Sequence, residues 1–252
     1  MIQSVDRAVR ILGLLQGRRM SLGEIASRME LAPSTAHGIV RTLLAHGMVV
    51  QERDTGHYRL GPATLRLGNV YLHTLELRAR VATWAGELAR RTGCAVRTGV
   101  LLRDDVVVVA HEPRPDGTRQ MPEVGIVIPA HACALGKALL AYEPAAVPPL
   151  RSMTGETITD PARFDAELQQ VRRAGIATEV EEAVLGECGL AAPIADPTGV
   201  AGAVGLVTPT SGWPLPGSAL DALRDTARAV SRELGATAWP PAHDVLPGSA
   251  TA

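Results

Sequence analysis

The sequence has 252 residues, 46% of them hydrophobic and only 3% aromatic, which suits one large or two modest domains with aliphatic cores. Its formal net charge of −1 is unevenly distributed, because residues 1–62 hold eight arginines and five acidic residues (+3) and the remainder carries −4. The positive charge of the first part favours a nucleic-acid-binding N-terminal domain despite the near-neutral total. No apolar run reaches the roughly 18 residues of a membrane span, no signal peptide is recognisable, and the three scattered cysteines indicate reduced thiols, so we expect a cytoplasmic protein without membrane contact.

The first sixty residues predict three helices followed by a β-hairpin. Apolar residues recur at helical spacing from Val5 to Leu15, and Ser21 and Glu24 have the spacing of a capping box that begins a second helix. Pro33 suits the first turn of a third helix. Two short strands flank the turn signal at residues 54–56. Together these elements predict a winged helix-turn-helix domain over residues 1–62.

A winged helix-turn-helix predicts contacts with double-stranded DNA. The third helix fits the major groove, and the hairpin, or wing, suits contacts with the DNA backbone or minor groove. We take as candidate DNA-binding residues the polar and basic side chains of these two elements, namely Ser34, Thr35, His37, Arg41, Thr42, Arg53, His57 and Arg59. The alternative, a small helical domain that binds protein, is less consistent with the basic excess and the polar exposed face of the third helix.

The remaining chain predicts a helix, then a larger α+β domain, then a tail. Residues 63–80 form a linker helix in this interpretation, and residues 81–239 alternate helical and strand patterns in an order that favours a sheet with flanking helices. Residues 240–252, rich in Pro, Gly, Ser and Ala, predict a disordered tail.

Several strings in this order resemble the IclR family of bacterial transcriptional regulators. They are Ser4–Leu12, Ser21–Ala26, Ser34–His37, Arg41–Leu43 and Tyr58–Gly61, followed by His131–Ala141, Glu181-Glu182, Gly186 and Leu190–Ile194. The resemblance implies a GAF-like α/β effector-binding domain, and a linker helix that helps to hold a homodimer or a dimer of dimers together. It implies a regulator of a metabolic operon, with repression favoured and activation left open, whose partners are operator DNA and a small-molecule metabolite.

The resemblance also implies an effector site, and the sequence departs from the family at one DNA-reading position. The family's positions, carried over residue by residue, are Ala134, Leu135, Glu179, Gly189, Gly205 and Val207. We add the neighbouring thiols Cys133 and Cys188 as further effector-binding candidates. The loop before residue 134 enters a helix, whose free N–H groups favour a carboxylate or another anionic effector. Gly38 stands where relatives usually carry a basic residue, which puts the usual DNA half-site in doubt.

Two other classes of function remain open at this point. A Cys–His hydrolase could use Cys133 or Cys188 with His131 or His111, but no nucleophile motif or cofactor loop supports an enzyme. A metal or redox sensor could use His131, Cys133, Glu179 and Cys188, but the spacing of zinc ligands is missing. We therefore expect no catalytic residue, cofactor or metal. The plainer interpretation makes the cysteines buried fillers, His131 a structural hydrogen-bonding residue and Lys137 a surface or salt-bridge residue.

Overall fold

The structure is a computed structural model, and it describes residues 2–143 and 147–241. The chain divides between Thr74 and Leu75 into two units, which we describe separately. Most of the tail expected at residues 240–252 lies outside the described residues.

The N-terminal unit confirms the predicted winged helix-turn-helix. Its elements in chain order are α1 (Gln3–Leu14), α2 (Leu22–Arg28), α3 (Pro33–Ala45), β1 (Val49–Gln51), β2 (Tyr58–Leu60) and α4 (Pro62–Thr74). The capping box is present, since Ser21 Oγ accepts from the Glu24 backbone N–H and the Glu24 carboxylate accepts from the Ser21 N–H. Aliphatic side chains such as Ile11, Ile25 and Val40 form its core.

The predicted linker helix at residues 63–80 is instead two helices. Helix α4 ends at Thr74, and α5 begins at Glu76 and continues to Thr92, ending at Gly93. The intervening Leu75 has the extended backbone angles φ −79° and ψ 100°, which interrupt the helical hydrogen bonds. Leu77 and Val81 are already buried in the core of the second unit. The C-terminal domain therefore begins at residue 75, and the linker helix is α4 alone.

The C-terminal unit is an α+β domain built on one antiparallel six-stranded sheet. The strands are β3 (Ala95–Leu102), β4 (Asp105–Glu112), β5 (Val127–Pro129), β6 (Ala177–Val180), β7 (Glu187–Asp196) and β8 (Gly199–Pro209), in the order β5-β4-β3-β8-β7-β6. Helices α5 and α8 (Gly217–Glu233) pack on one face. Helices α6 (Ala134–Leu140) and α7 (Pro161–Ala174) lie over the other face. The expected sheet domain with flanking helices is confirmed.

Glycines bring α6 close to the sheet. A Cβ on Gly136 would clash with the Ala130 carbonyl oxygen, and a Cβ on Gly205 would lie 3.1 Å from the Leu135 side chain. Larger residues at these positions would push the helix outward, because protein interiors leave little free space. The small side chains therefore fix where α6 begins relative to β8, which shapes the cavity described below.

Candidate functional site

Helix α3 presents the predicted DNA-reading side chains to solvent. Its inner face buries Ala36, Val40 and Leu43, while the polar residues on the opposite face are exposed, namely Ser34, Thr35, His37, Arg41 and Thr42. The Thr42 hydroxyl donates to the Gly38 carbonyl oxygen at 3.1 Å. A Cβ on Gly38 would meet no atom within 4 Å, so this glycine is not required by packing.

The wing carries less unpaired positive charge than its sequence indicates. Arg53 is exposed at the turn. Arg59 Nε, however, lies 3.5 Å from Glu52 Oε1, and Arg19 Nε lies 3.2 Å from the same oxygen. His57 Nδ1 is 3.2 Å from the Thr55 carbonyl oxygen. Glu52 therefore offsets part of the positive charge that we predicted for this hairpin.

A cavity of about 320 Å³ lies in the C-terminal unit beside the first turn of α6. This volume is within the range of small-molecule sites. The predicted effector residues that line it are Cys133, Ala134, Leu135, Glu179, Gly189, Gly205 and Val207. The other lining residues were not predicted from the sequence, and most of them are apolar. They are Arg97, Ile126, Val127, Ile128, Pro129, Met153, Ala183, Val184, Glu187, Leu190 and Leu206. The structure thus brings seven of the eight predicted residues together.

The eighth predicted effector residue, Cys188, does not line this cavity. The lining includes Glu187, Gly189 and Leu190 of the same strand but not Cys188, which is fully buried. A contact between Cys188 and an effector therefore stays a prediction that this cavity does not support.

Arg97 forms the charged centre of the cavity wall. Its guanidinium makes two-point contacts with both Glu123 (Nη2–Oε1 2.9 Å) and Glu187 (Nη1–Oε1 2.6 Å, Nη2–Oε2 3.0 Å). Burial acts to lower the pKa of Arg97, but the two carboxylates outweigh it and raise that pKa above its ordinary value. His111 Nε2 also lies 3.4 Å from Glu123. Arg97 is therefore a fixed cation whose charge is already matched.

Glu179 is a buried carboxyl group in the same cavity. Its two oxygens accept long hydrogen bonds from the backbone N–H groups of Ala134 (3.4 Å) and Ala183 (3.3 Å). Burial raises the pKa of Glu179 to about 7, since these N–H groups compensate the desolvation only in part. A Cβ on Gly189 would lie 3.6 Å from Glu179 Oε2, an ordinary contact distance, so this glycine of β7 borders the carboxyl group.

The beginning of α6 is already occupied by groups of the protein. The Ala134 N–H points to Glu179, and the Gly136 N–H donates to Cys133 Sγ at 3.3 Å. Burial, together with nearby Glu179, raises the pKa of Cys133 to about 12, so the thiol stays protonated near neutral pH. A thiol held in this way caps the helix and is a poor nucleophile.

Lys137 differs from the surface position that the sequence suggested. It is completely buried, and its Nζ donates to Glu182 Oε1 at 2.5 Å and to the Thr178 carbonyl oxygen at 3.1 Å. Glu167 lies 3.5 Å away. Lys137 therefore forms a salt bridge, as one of the two expectations had it, but in the core rather than at the surface. His131 Nε2 lies 2.8 Å from the Arg151 carbonyl oxygen, which fits the structural role expected for it.

Among residues 2–143 and 147–241, His, Cys, Asp and Glu side chains form no group of three or more that could hold a metal ion. Within the same ranges, every helix is too short or too polar to cross a bilayer.

Family models and curated relatives match both units. The IclR helix-turn-helix domain matches residues 4–53, and the C-terminal domain of the bacterial transcriptional regulator IclR matches residues 69–232. The glycerol operon regulatory protein of Streptomyces coelicolor is 44% identical over 93% of this chain and 97% of its own length. The regulator BhcR of Paracoccus denitrificans is 32% identical over 92% of this chain and 86% of its own length.

A solved structure agrees with these matches. The IclR transcriptional regulator from Alicyclobacillus acidocaldarius superposes with a TM-score of 0.79 at 29% identity, covering 93% of this chain and 100% of its own. The family and these relatives are regulators rather than enzymes. With a winged helix-turn-helix in one unit and a cavity-bearing sheet domain in the other, this chain belongs to the IclR family of bacterial transcriptional regulators.

Proposed function

We propose that this regulator represses an operon for the use of glycerol or a related polyol and that a small metabolite bound in the C-terminal unit changes its operator affinity. The observation that carries the proposal is the 44% identity, over nearly the full length of both chains, to a protein named for the glycerol operon. Repression is supported by the 27% identity over 94% of this chain to AllR of Escherichia coli, which is named a repressor. Its site of action is the cytoplasm, where operator DNA is accessible.

In this proposal α3 enters the major groove and the wing contacts the DNA backbone. Exposed Ser34, Thr35, His37, Arg41 and Thr42 offer the hydrogen-bond donors and acceptors that base edges and phosphates require. Arg41 is the cation on the exposed face of this helix, and we expect it to contribute most to affinity. The proposed wing contacts are Arg53, His57 and Arg59, with the last weakened by its pairing to Glu52.

We further propose that the regulator acts as a homodimer, with a dimer of dimers as the larger assembly. Ile2, Val5 and Val9 of the first unit are exposed, and Val5 and Val9 line an apolar groove between α1 and α3. Leu65 and Val70 of α4 are also exposed. Contiguous exposed apolar surface commonly marks an interaction site, and a two-fold dimer matches a palindromic operator. Analytical ultracentrifugation of wild type and a Val5→Glu, Val9→Glu variant would measure the assembly.

The effector is proposed to occupy the cavity beside α6. Its volume of about 320 Å³ and its mainly apolar walls with a few polar groups are typical of small-molecule sites. The anionic effector that we expected from the helix start stays a prediction. The charges now described weigh against it, because the Ala134 N–H and the Arg97 guanidinium already face carboxylates of the protein.

Transcription of the glycerol-use operon in the host tests the proposal. Deleting the gene for a repressor should raise this transcript in the absence of glycerol, and the wild-type gene should restore low expression. An Arg41→Ala copy should fail to restore it, whereas Arg163→Ala, an exposed residue of α7, should succeed. Loss of the transcript on deletion would show an activator, and no change would contradict the proposed target.

A further inference from the structure

Arg97, the cation in the cavity wall, has few free hydrogen-bond donors for a ligand. A guanidinium has five N–H donors in a fixed fork, and four of these face the oxygens of Glu123 and Glu187. An incoming carboxylate would have to displace one of these residues from Arg97. The cluster also carries one positive and two negative charges, so it repels a further anion.

The other buried cation near the cavity, Lys137, is not available to bind a ligand carboxylate either. Its Nζ is held by Glu182, Glu167 and the Thr178 carbonyl oxygen, and its side chain is not part of the cavity lining. At the beginning of α6 the Ala134 N–H already points to Glu179. The groups that would normally receive a ligand carboxylate are therefore matched by carboxylates of the protein itself.

Glu179 is a polar side chain of the lining that keeps hydrogen-bonding capacity and, unlike Glu187, is not paired with Arg97. A carboxylate accepts at about four lone-pair positions, and the N–H groups of Ala134 and Ala183 take two of them. In its protonated form the same group can also donate. An alcohol, which both donates and accepts, satisfies either form. Apolar side chains such as Ile128, Leu135 and Val207 suit the carbon skeleton of such a ligand.

We propose that the cavity selects uncharged, hydroxyl-bearing molecules over carboxylates and that Glu179 is the residue that determines this selectivity. The inference rests on the proposed effector role of the cavity and narrows its ligand class. A carboxylate ligand would bring a second negative charge next to a buried acid, which costs free energy in an apolar site. An alkylammonium could pair with Glu179 only in its ionised form, so both charges would have to be desolvated in a largely apolar cavity.

The ionisation of Glu179 should make the selectivity depend on pH. The charged and titratable groups around it are Glu187 on β7, Glu182 in the loop between β6 and β7, Cys133 before α6 and Arg97 on β3. Glu187 and Glu182 oppose its ionisation, in addition to burial. As the pH rises through about 7, Glu179 gains its charge, and the rejection of carboxylates should strengthen.

Three probes of equal chain length separate the ligand classes: hexane-1,2-diol, hexanoate and hexylamine. We would measure their binding to the full-length protein by isothermal titration calorimetry at about pH 6 and about pH 8. The diol should bind at least about tenfold more tightly than hexanoate, with a larger ratio at the higher pH. Preference for hexanoate or hexylamine, or failure of the diol to bind, would overturn the proposal.

A Glu179→Gln variant tests the assigned residue. Glutamine keeps a similar shape and cannot ionise, so hexanoate binding should improve relative to the diol and the pH trend should disappear. A purely structural role would weaken both ligands by the same factor, and that result would contradict the assignment. Glu156→Gln, at an exposed position, is the control and should retain the wild-type ratio. Operator binding, measured in parallel, separates the two proposals. If the wild-type protein does not bind operator DNA, the proposed function is refuted. If it binds operator DNA but does not prefer the diol, only this inference is refuted.

Discussion

Arg97 on β3 and Glu187 at the start of β7 face each other in a two-point ion pair, with Nη1–Oε1 at 2.6 Å and Nη2–Oε2 at 3.0 Å. Glu123, from the segment between β4 and β5, occupies the other edge of the same guanidinium. The side chain of Arg97 is only 9% exposed. One buried residue thus holds two segments that border the cavity, and its loss would leave two carboxylates without their counter-charge.

Replacing Arg97 with Met should destabilise the protein strongly. Removing one member of a buried ion pair costs about 3 kcal/mol or more, because the partner's charge stays desolvated. Urea unfolding followed by tryptophan fluorescence would measure the change. Arg114→Met removes the partner of the more exposed Asp116 and should cost less than about 1 kcal/mol. Equal effects of the two substitutions would show that the Arg97 cluster contributes no more than a surface pair.

Glu179 should make the stability of the protein depend on pH. Its folded-state pKa of about 7 lies above the ordinary 4.5, so the folded protein binds the proton more tightly than the unfolded chain. This stabilising contribution is fully present below pH 4.5 and is lost as the pH rises through 7. Relative to Glu179→Gln, wild type should therefore lose about 3 kcal/mol of unfolding free energy over this interval. A pH-independent difference between the two proteins would contradict the buried, protonated state.

The Lys137–Glu182 pair offers a double-mutant test. Lys137→Met should cost about 3 kcal/mol, because it leaves Glu182 buried without its cation. Adding Glu182→Leu should recover much of that loss, since the uncompensated charge is then removed as well. Arg80→Met, which breaks the exposed pair with Glu76, is the control and should leave the unfolding free energy close to that of wild type. Additive losses in the double variant would refute the coupling between Lys137 and Glu182.

Two helical glycines should respond to alanine in opposite directions. Gly38 of α3 has open space around a Cβ position, so Gly38→Ala should stabilise the protein by about 0.5 to 1 kcal/mol. Gly136 of α6 would place its Cβ against the Ala130 backbone, so Gly136→Ala should destabilise by about 1 to 3 kcal/mol or more. Thermal unfolding followed by circular dichroism would compare them. If both substitutions stabilised the protein, the close approach of α6 to residue 130 would be wrong.

Local sequence signals were sufficient where the structure depends on neighbours along the chain. Helix α7 begins and ends at local signals in the sequence, since Asp160 caps it, Pro161 opens it and Gly175 ends it. The capping box at Ser21 was predicted for the same reason. The interruption at Leu75 carried no glycine or proline to mark it, and its cause, the burial of Leu77 against the sheet core, lies in tertiary structure.

The cavity was predictable only in part, because its charged centre depends on residues far apart in sequence. Arg97 pairs with residues 26 and 90 positions away, and the separation carries no local pattern. Lys137 gave the same difficulty, since a lysine near a helix start is usually exposed. Six of the seven predicted residues that line the cavity came from the family resemblance, and the seventh, Cys133, was added because it precedes Ala134 in the same loop.

The claim that α3 reads operator DNA is tested most directly by fluorescence anisotropy. The upstream DNA of the chain's own gene would be titrated with wild type and with Arg41→Ala over a series of salt concentrations. We expect the variant to bind about tenfold or more weakly and its salt dependence to fall by about one counterion. An Arg41→Ala protein that binds this DNA with the affinity and salt dependence of wild type would contradict a DNA-reading role for α3.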